Sequence, residues 1–380
     1  MTQTATTEAP PQQASTGQGA LFDLLARSWS FDAPVTGVAL DAAGKAAGFA
    51  LADGRMVLAP LEDAESPQKR LRIEADSGRS LIRPREKPVA APILTAELAQ
   101  GAPMLAVSGV IGLIAASADG RIHRVTPRGQ VIPLAGPEAP ILALASDRGG
   151  RLAVAREGRV DLHDEVRMGL LDSLAVPGAV RALAFAPDDR ALAVMLEDSL
   201  LLAASGENAQ PLPLGGAGPL AFSPLGDWLA GGNGQDGFWL LRRADGAIAR
   251  IGNFRAAPSE ITFSKAANAV FASGAFRAAG WSLATPPLDA EATGALRSGR
   301  AGLVLIDRIA AHPGRDLVAL GMADGAVSIA RAGQPEEMAL RQADGHAVTA
   351  LAWSACGLHL AIGTADGQAA LVTLPPQLFK

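Results

Sequence analysis

The feature that most limits what this chain can fold into is an internal repeat. A short apolar strand ends in a small or polar turn, a second apolar strand follows, and an acidic-Gly turn leads into a third. The clearest copy lies near the C-terminus. There Thr349–Ser354 is a strand of alternating character, Ala355-Cys356-Gly357 a turn, Leu358–Thr364 the next strand, Asp366-Gly367 a second turn, and Gln368–Leu374 the third strand. The same order of residues recurs at Leu183–Asp189, Leu220–Gly226, Ile261–Lys265 and Ile309–Gly314, with weaker copies beginning at Val38, Leu105 and Leu142. The third residue of each copy gives the anchors Leu40, Val107, Leu144, Phe185, Phe222, Phe263, Ala311 and Trp353. Their separations are 67, 37, 41, 37, 41, 48 and 42 residues.

A step of about 40 residues carrying several short strands is the period of β-propeller blades. The second turns keep phase with it, at Asp53-Gly54, Asp119-Gly120, Glu157-Gly158, Glu197-Asp198, Asp236-Gly237, Asp324-Gly325 and Asp366-Gly367. Such dipeptides between alternating apolar runs signal hairpins, because Gly reaches positive φ without steric cost. The sixth copy departs, with Phe276-Arg277 where the turn is expected. No segment shows a helical period comparable to this strand pattern. A four-stranded sheet cannot bury both its faces alone, whereas radial stacking buries them. Ala and Gly suit the crowded inner strands.

These residues resemble the WD-repeat β-propeller family over roughly residues 25–380. The last copy carries the family's Gly-His at Gly345-His346, its Ser/Thr at Thr364 and its turn acid at Asp366. Val372-Thr373 stands where Trp-Asp is usual, and no Trp-Asp dipeptide occurs in the chain. The resemblance is therefore to a degenerate member. It implies that His346, Thr364 and Asp366 form part of the family's structural hydrogen-bond chain in the last blade. The fold class expected is all-β: four-stranded antiparallel blades, eight motif copies, with seven blades as the alternative if the weak second copy is not a blade. The last copy lacks an outer strand, and Arg27–Phe31 is expected to supply it and close the ring.

Residues 1–20 read as a disordered polar tail rich in Pro, Gln and Thr, and 21–380 as a single propeller domain with a basic insertion near 62–100. The tail has no basic, apolar signal-peptide pattern. No apolar run reaches the roughly 18 residues of a spanning helix, and Leu105–Ala118 is interrupted by Ser and Gly. A membrane is not expected among the partners. One cysteine, Cys356, excludes an intrachain disulfide, and a cytoplasmic location is expected.

Charge and composition narrow the partner. Lys and Arg number 33 against 38 Asp and Glu, a net charge of -5, and aromatics are 4% with no Tyr. Coating of nucleic acid by overall charge and base stacking on aromatic platforms are both disfavoured. The basic insertion is the local exception, with Lys69, Arg70, Arg72, Arg79, Arg83, Arg85 and Lys87 against Glu74, Asp76 and Glu86, or +4. It reads either as a solvated hairpin carrying the first blade's fourth strand (70–75) with a loose loop, or as an arm for an acidic partner or a nucleic-acid backbone through Arg70, Arg72, Arg83 and Arg85. A second insertion, 285–302, reads as a plain linker. Arg55, Arg121 and Arg159 each follow a second turn in the first three copies. They are expected to form an arc on one face, partly neutralised by the acid beside each, that could fork onto carboxylates.

Signals for chemistry are few. Cys356 and His359, with His312 one copy earlier, have ligand-like spacing for a soft metal, but a fourth ligand is missing. Gly232–Gly237 matches Gly-x-Gly-x-x-Gly, yet a strand follows it, so no dinucleotide is expected. There is no P-loop and no Gly-x-Ser-x-Gly elbow. Asp188-Asp189 reads as a turn pair. Trp29, Trp228, Trp239, Trp281 and Trp353 read as blade packing. No cofactor is expected. The resemblance implies a non-catalytic scaffold that holds an unidentified protein partner, an acidic one where the arginines or the basic insertion make the contact. The alternatives are a propeller enzyme (lactonase, glycosidase or dehydrogenase type), which needs ionisable groups at the channel mouth, and a metal-handling accessory protein.

Overall fold

A computed structural model describes residues 19–73, 80–188, 191–204 and 210–379. These residues form eight four-stranded antiparallel sheets and a two-stranded ribbon. In each sheet the first strand of a copy is innermost and the chain meanders outward. The eight inner strands are Val35–Leu40, Met104–Ser108, Ala143–Ser146, Ala182–Phe185, Leu220–Phe222, Ile261–Ser264, Ile306–Ala311 and Val348–Trp353. Each neighbours the next in chain order, and the last neighbours the first, so the ring is closed round a central channel. The blades are numbered 1 to 8 in that order. The weak second copy is a complete blade, Met104–Ala135, and the seven-bladed alternative falls.

Closure follows the expected route. Ala26–Ser30 pairs antiparallel with Gln368–Thr373 and supplies the outer strand of blade 8. The short helix Gly19–Leu25 precedes it, and Leu25 is buried in the core between blades 7 and 8. Arg27 on this strand is 4% exposed and donates to the carbonyls of Pro60 (2.6 Å) and Leu61 (3.3 Å) at the exit of blade 1. A long charged side chain thereby ties the closing strand to the blade across the seam.

The core is a series of interblade layers. Second strands are the most buried, with Ala46–Leu51, Ala191–Met195 and Trp228–Gly232 buried at every position. Small residues there let neighbouring sheets approach. In blade 5, Gly231 lies under the Trp239 ring, which a Cβ would meet at 2.2 Å. The tryptophans act as packing residues that also stitch. The indole N–H groups of Trp239, Trp281 and Trp353 donate to the carbonyls of Gly215, Glu291 and Ala310, and that of Trp29 to Ala90.

Two insertion readings need correction. The fourth strand of blade 1 is Ile93–Leu94, paired with Val57 and Leu58. Leu71–Ile73 instead pairs with Ser80–Ile82 in a separate ribbon, and residues 74–79 lie outside the described ones. Local alternation cannot tell which partner a short strand takes, because the choice is made by a contact across the insertion. The segment 285–302 is not a plain linker, for Ala295–Ser298 is the outer strand of blade 6. The expected tail, up to residue 18, and Asp189 also lie outside the described residues.

Candidate functional site

In a meander each second turn and each crossover to the next blade lie at the same end of the sheet. The contacts show this directly. A Cβ on Gly54 would lie 1.9 Å from the Ala99 carbonyl of the crossover to blade 2, and one on Gly367 would lie 2.2 Å from the Phe31 carbonyl at the ring seam. Both glycines have φ of 88°. The acidic-Gly turns thus let turn and crossover pack backbone to backbone, which builds one loop-lined face around the channel mouth.

The arginine arc lies on this face, in blades 1 to 3. Arg55 forms a 2.5 Å ion pair with Asp53, Arg121 a 3.4 Å pair with Asp119, and Arg159 a 2.8 Å pair with Asp161. The hydrogen bond from Arg55 holds Asp53 below its ordinary carboxylate range. Each cation therefore faces a partner already inside the chain, and an incoming carboxylate must compete for it.

The cations of the basic insertion divide into two groups. Arg70 is 5% exposed and donates to the carbonyls of Leu24, Glu65 and Arg83. Arg85 reaches Asp63 through both its terminal nitrogens. These two fold the insertion back onto the closing helix and blade 1. Arg72 and Arg83 are exposed, Arg83 with a 3.6 Å pair to Glu86.

The structure does not bring Cys356, His359 and His312 together as ligands. Cys356 is exposed, with its sulfur 3.3 Å from the Ser354 hydroxyl. The His312 ring bonds the Gly357 carbonyl through Nε2 and accepts from the Gly314 N–H at Nδ1. His359 bonds the Thr373 hydroxyl at 3.0 Å. Burial, then the charge of Arg27, lowers the His359 pKa to about 4, so the ring is a neutral packing group at pH 7. Among the described residues the metal-capable group is instead Asp344, His346 and Asp366, all exposed. It shares His346 and Asp366 with the hydrogen-bond chain that the resemblance implied. The Thr364 hydroxyl bonds Asp366 and accepts from the Gln368 N–H, while the His346 ring stands 3.7 Å from both carboxylates.

Sequence reasoning missed the mouth of the channel. The inner strands of blades 6, 7 and 8 begin there, and Arg308 joins them. Its guanidinium donates to the Thr349 carbonyl (2.7 Å) and to the Ser259 hydroxyl (2.6 Å). The Glu260 carboxyl accepts from the Ile309 N–H at 3.0 Å. Burial raises the Glu260 pKa to about 7, against the opposing effects of that bond and of Arg308. Burial also raises Asp307. No local motif marks these residues, because the two carboxyls belong to different blades.

Blade 6 departs at its second turn, where the sequence lacks the acidic-Gly pair. Six residues (273–278) separate the paired Ala272 and Ala279, against five (51–55) between Ala50 and Met56 in blade 1. The longer turn is held by both flanking crossovers. Arg255 and Gly302 donate their N–H groups to the carbonyls of Gly274 (3.0 Å) and Phe276 (2.9 Å). Phe276 is left 37% exposed and Leu303 95% exposed. The visible signal was the missing acidic-Gly pair.

Fold and geometry define an eight-bladed β-propeller. The profile of the anaphase-promoting complex subunit 4 WD40 domain matches residues 310–375, the seventh and eighth blades. Among solved structures, the C-terminal WD40 domain of Sif2 aligns over 92% of this chain and 99% of its own, with 11% identity and a TM-score of 0.63. The computationally designed Ika8 protein aligns over 94% and 100%, with 18% identity and a TM-score of 0.62. The β-propeller domain of Myceliophteria thermophila Cps50 (Swd1) aligns over 69% and 93%, with 15% identity and a TM-score of 0.52. No curated protein matches the sequence. WD40 propellers typically serve as protein-interaction scaffolds and are generally non-enzymatic.

Proposed function

We propose that this chain is a non-catalytic scaffold that holds a protein partner on its loop-lined face, in a cytoplasmic setting. The observation that carries the reading is the build of that face. Turns and crossovers are locked together by backbone contacts, while arginines and apolar side chains stand out from them. A rigid platform loses little conformational entropy on binding, and Arg and aromatic anchors commonly dominate interface energies. Its test is affinity purification of the tagged chain at moderate salt, with proteins and metal read from the same eluate. A stoichiometric protein partner that is lost when loop-face residues are altered supports the reading. An eluate with bound metal or small molecule and no partner overturns it.

The channel mouth favours a second reading, an enzyme. A carboxyl whose pKa is raised to about 7 can give and take protons at neutral pH. Asp307 and Arg308 stand on the adjoining strand. Against this, the Ser259 hydroxyl donates to the Asp307 carbonyl and receives Arg308, so it is not paired with a base. Turnover of a lactone or glycoside that disappears in Glu260→Gln would establish the enzyme reading.

A further inference from the structure

We infer that the protein partner presents an acidic segment with one large apolar side chain, and that the segment docks on the blade 6 sector of the loop-lined face. The inference rests on the scaffold reading and names the chemistry of its partner. Three arginines lie on the three segments that build this sector: Arg255 on the crossover into blade 6, Arg277 on its second turn, and Arg300 on the crossover out. Among the described residues none of the three has a carboxylate within ion-pair distance, unlike Arg55, Arg121 and Arg159. Arg277 makes no side-chain hydrogen bond at all, and its Nε is buried without a partner. Its terminal nitrogens are not buried and bond no described group, and they are the donors open to an incoming carboxylate. The acids bordering this sector are engaged elsewhere: Glu337 Oε2 accepts from the Arg300 backbone N–H at 3.4 Å, Glu291 accepts from the Asn253 amide at 3.1 Å, and Glu260 accepts from the Ile309 N–H.

The apolar half of the site lies among these cations. Phe276 carries Arg255 over its ring, 5.8 Å from the centroid. Leu303 is almost wholly exposed on the crossover whose Gly302 bonds the Phe276 carbonyl. An exposed Phe and Leu framed by unpaired guanidinium groups match a segment with an apolar anchor and flanking carboxylates. The sites are pre-ordered, because turn and crossovers are tied by the bonds from Arg255 and Gly302 and by the mutual N–H···O=C bonds of Gly274 and Ala275 with Ile306.

The test uses the full chain and three fluorescent probes: a Glu/Asp-rich peptide with one central Phe, the same peptide with Ser at that position, and a single-stranded oligonucleotide of equal charge. Anisotropy titration is expected to show saturable, salt-weakened binding of the Phe peptide, with the Ser peptide at least about tenfold weaker. Arg277→Glu is expected to reduce binding by more than about tenfold and Leu303→Ser by about threefold to tenfold, while Arg55→Glu leaves it within twofold. Leu303→Ser guards against misfolding, since a residue this exposed contributes little to the core. No saturable binding, binding untouched by Arg277→Glu and Leu303→Ser, or equal binding of the oligonucleotide each overturns the inference. If a protein partner is meanwhile retained by the blade 6 variants and lost in Arg55→Glu, the scaffold reading stands and the docking site alone is refuted. If no protein partner is bound by the unaltered chain, the scaffold reading falls with it.

Discussion

Replacing Glu260 by Gln tests whether the channel mouth holds a carboxyl that resists ionisation. Glutamine keeps an acceptor for the Ile309 N–H and removes only the charge. In the folded chain the Glu260 pKa is raised from 4.5 to about 7. Each unit corresponds to about 1.4 kcal/mol, so the full shift is roughly 3 kcal/mol as an upper figure. Glu260 keeps part of its surface exposed, and a working value is about 1–3 kcal/mol. The sign follows from proton counting. Between about 4.5 and 7 the folded state binds more protons than the unfolded one. The contribution to stability is therefore complete below about pH 4.5 and is lost as pH rises through about 7. Melting curves of the native chain and Glu260→Gln should converge in acid and separate above neutrality, the variant melting higher by about 1–4 °C near pH 8.5. Other titrations cancel in the difference. An offset that is constant with pH, or one that grows towards acid, would refute the assignment of a strained carboxyl at this site.

His359 should behave with the opposite sign. Its folded pKa is depressed to about 4, so its contribution is present above about pH 6.5 and lost as pH falls towards 4; His359→Gln should flatten that acid limb in the same melts. Gly54→Ala is expected to cost about 2–4 kcal/mol in denaturant titration, because φ is 88° and the Cβ meets the Ala99 carbonyl, whereas Gly44→Ala, with open space around it, should cost about 1 kcal/mol. Arg27→Ala should destabilise by about 2–4 kcal/mol and speed proteolysis ahead of residue 31, since it leaves the Pro60 carbonyl without its side-chain donor and opens the seam. Metal retained on purification should not depend on Cys356, His312 or His359, as metal analysis of Cys356→Ser and His312→Gln would show, because each of the three bonds a group of its own blade or its neighbour rather than a common point.

Much of the fold was legible because propeller blades are local objects. A hairpin is specified by residues a few positions apart, so the alternation at Leu183–Phe185 and the turn at Asp366-Gly367 announce themselves, and even the blunt second copy folds as a blade. The closing strand was legible too, because the last copy lacked a strand and Arg27–Phe31 lay in phase to supply it. The first insertion was not, since Leu71–Ile73 and Ile93–Leu94 are equally plausible strands until the blade edge selects one.

The candidate site divides along the same line. Arg55, Arg121 and Arg159 could be placed on a common face from their position after the turns, and the acids beside Arg55 and Arg121 announced that those cations would be paired. That Arg70 is spent on the Leu24 carbonyl, that Arg85 reaches Asp63, and that Arg277 meets no acid among the described residues are outcomes of packing between segments far apart in the chain. By itself the sequence determined the repeat, the strand order and the face on which turns collect, because backbone hydrogen bonding and turn chemistry act over a few residues. Only the tertiary structure decided which charges are neutralised and which stand free, because a charge's partner is whatever the closed ring brings within a few ångströms of it.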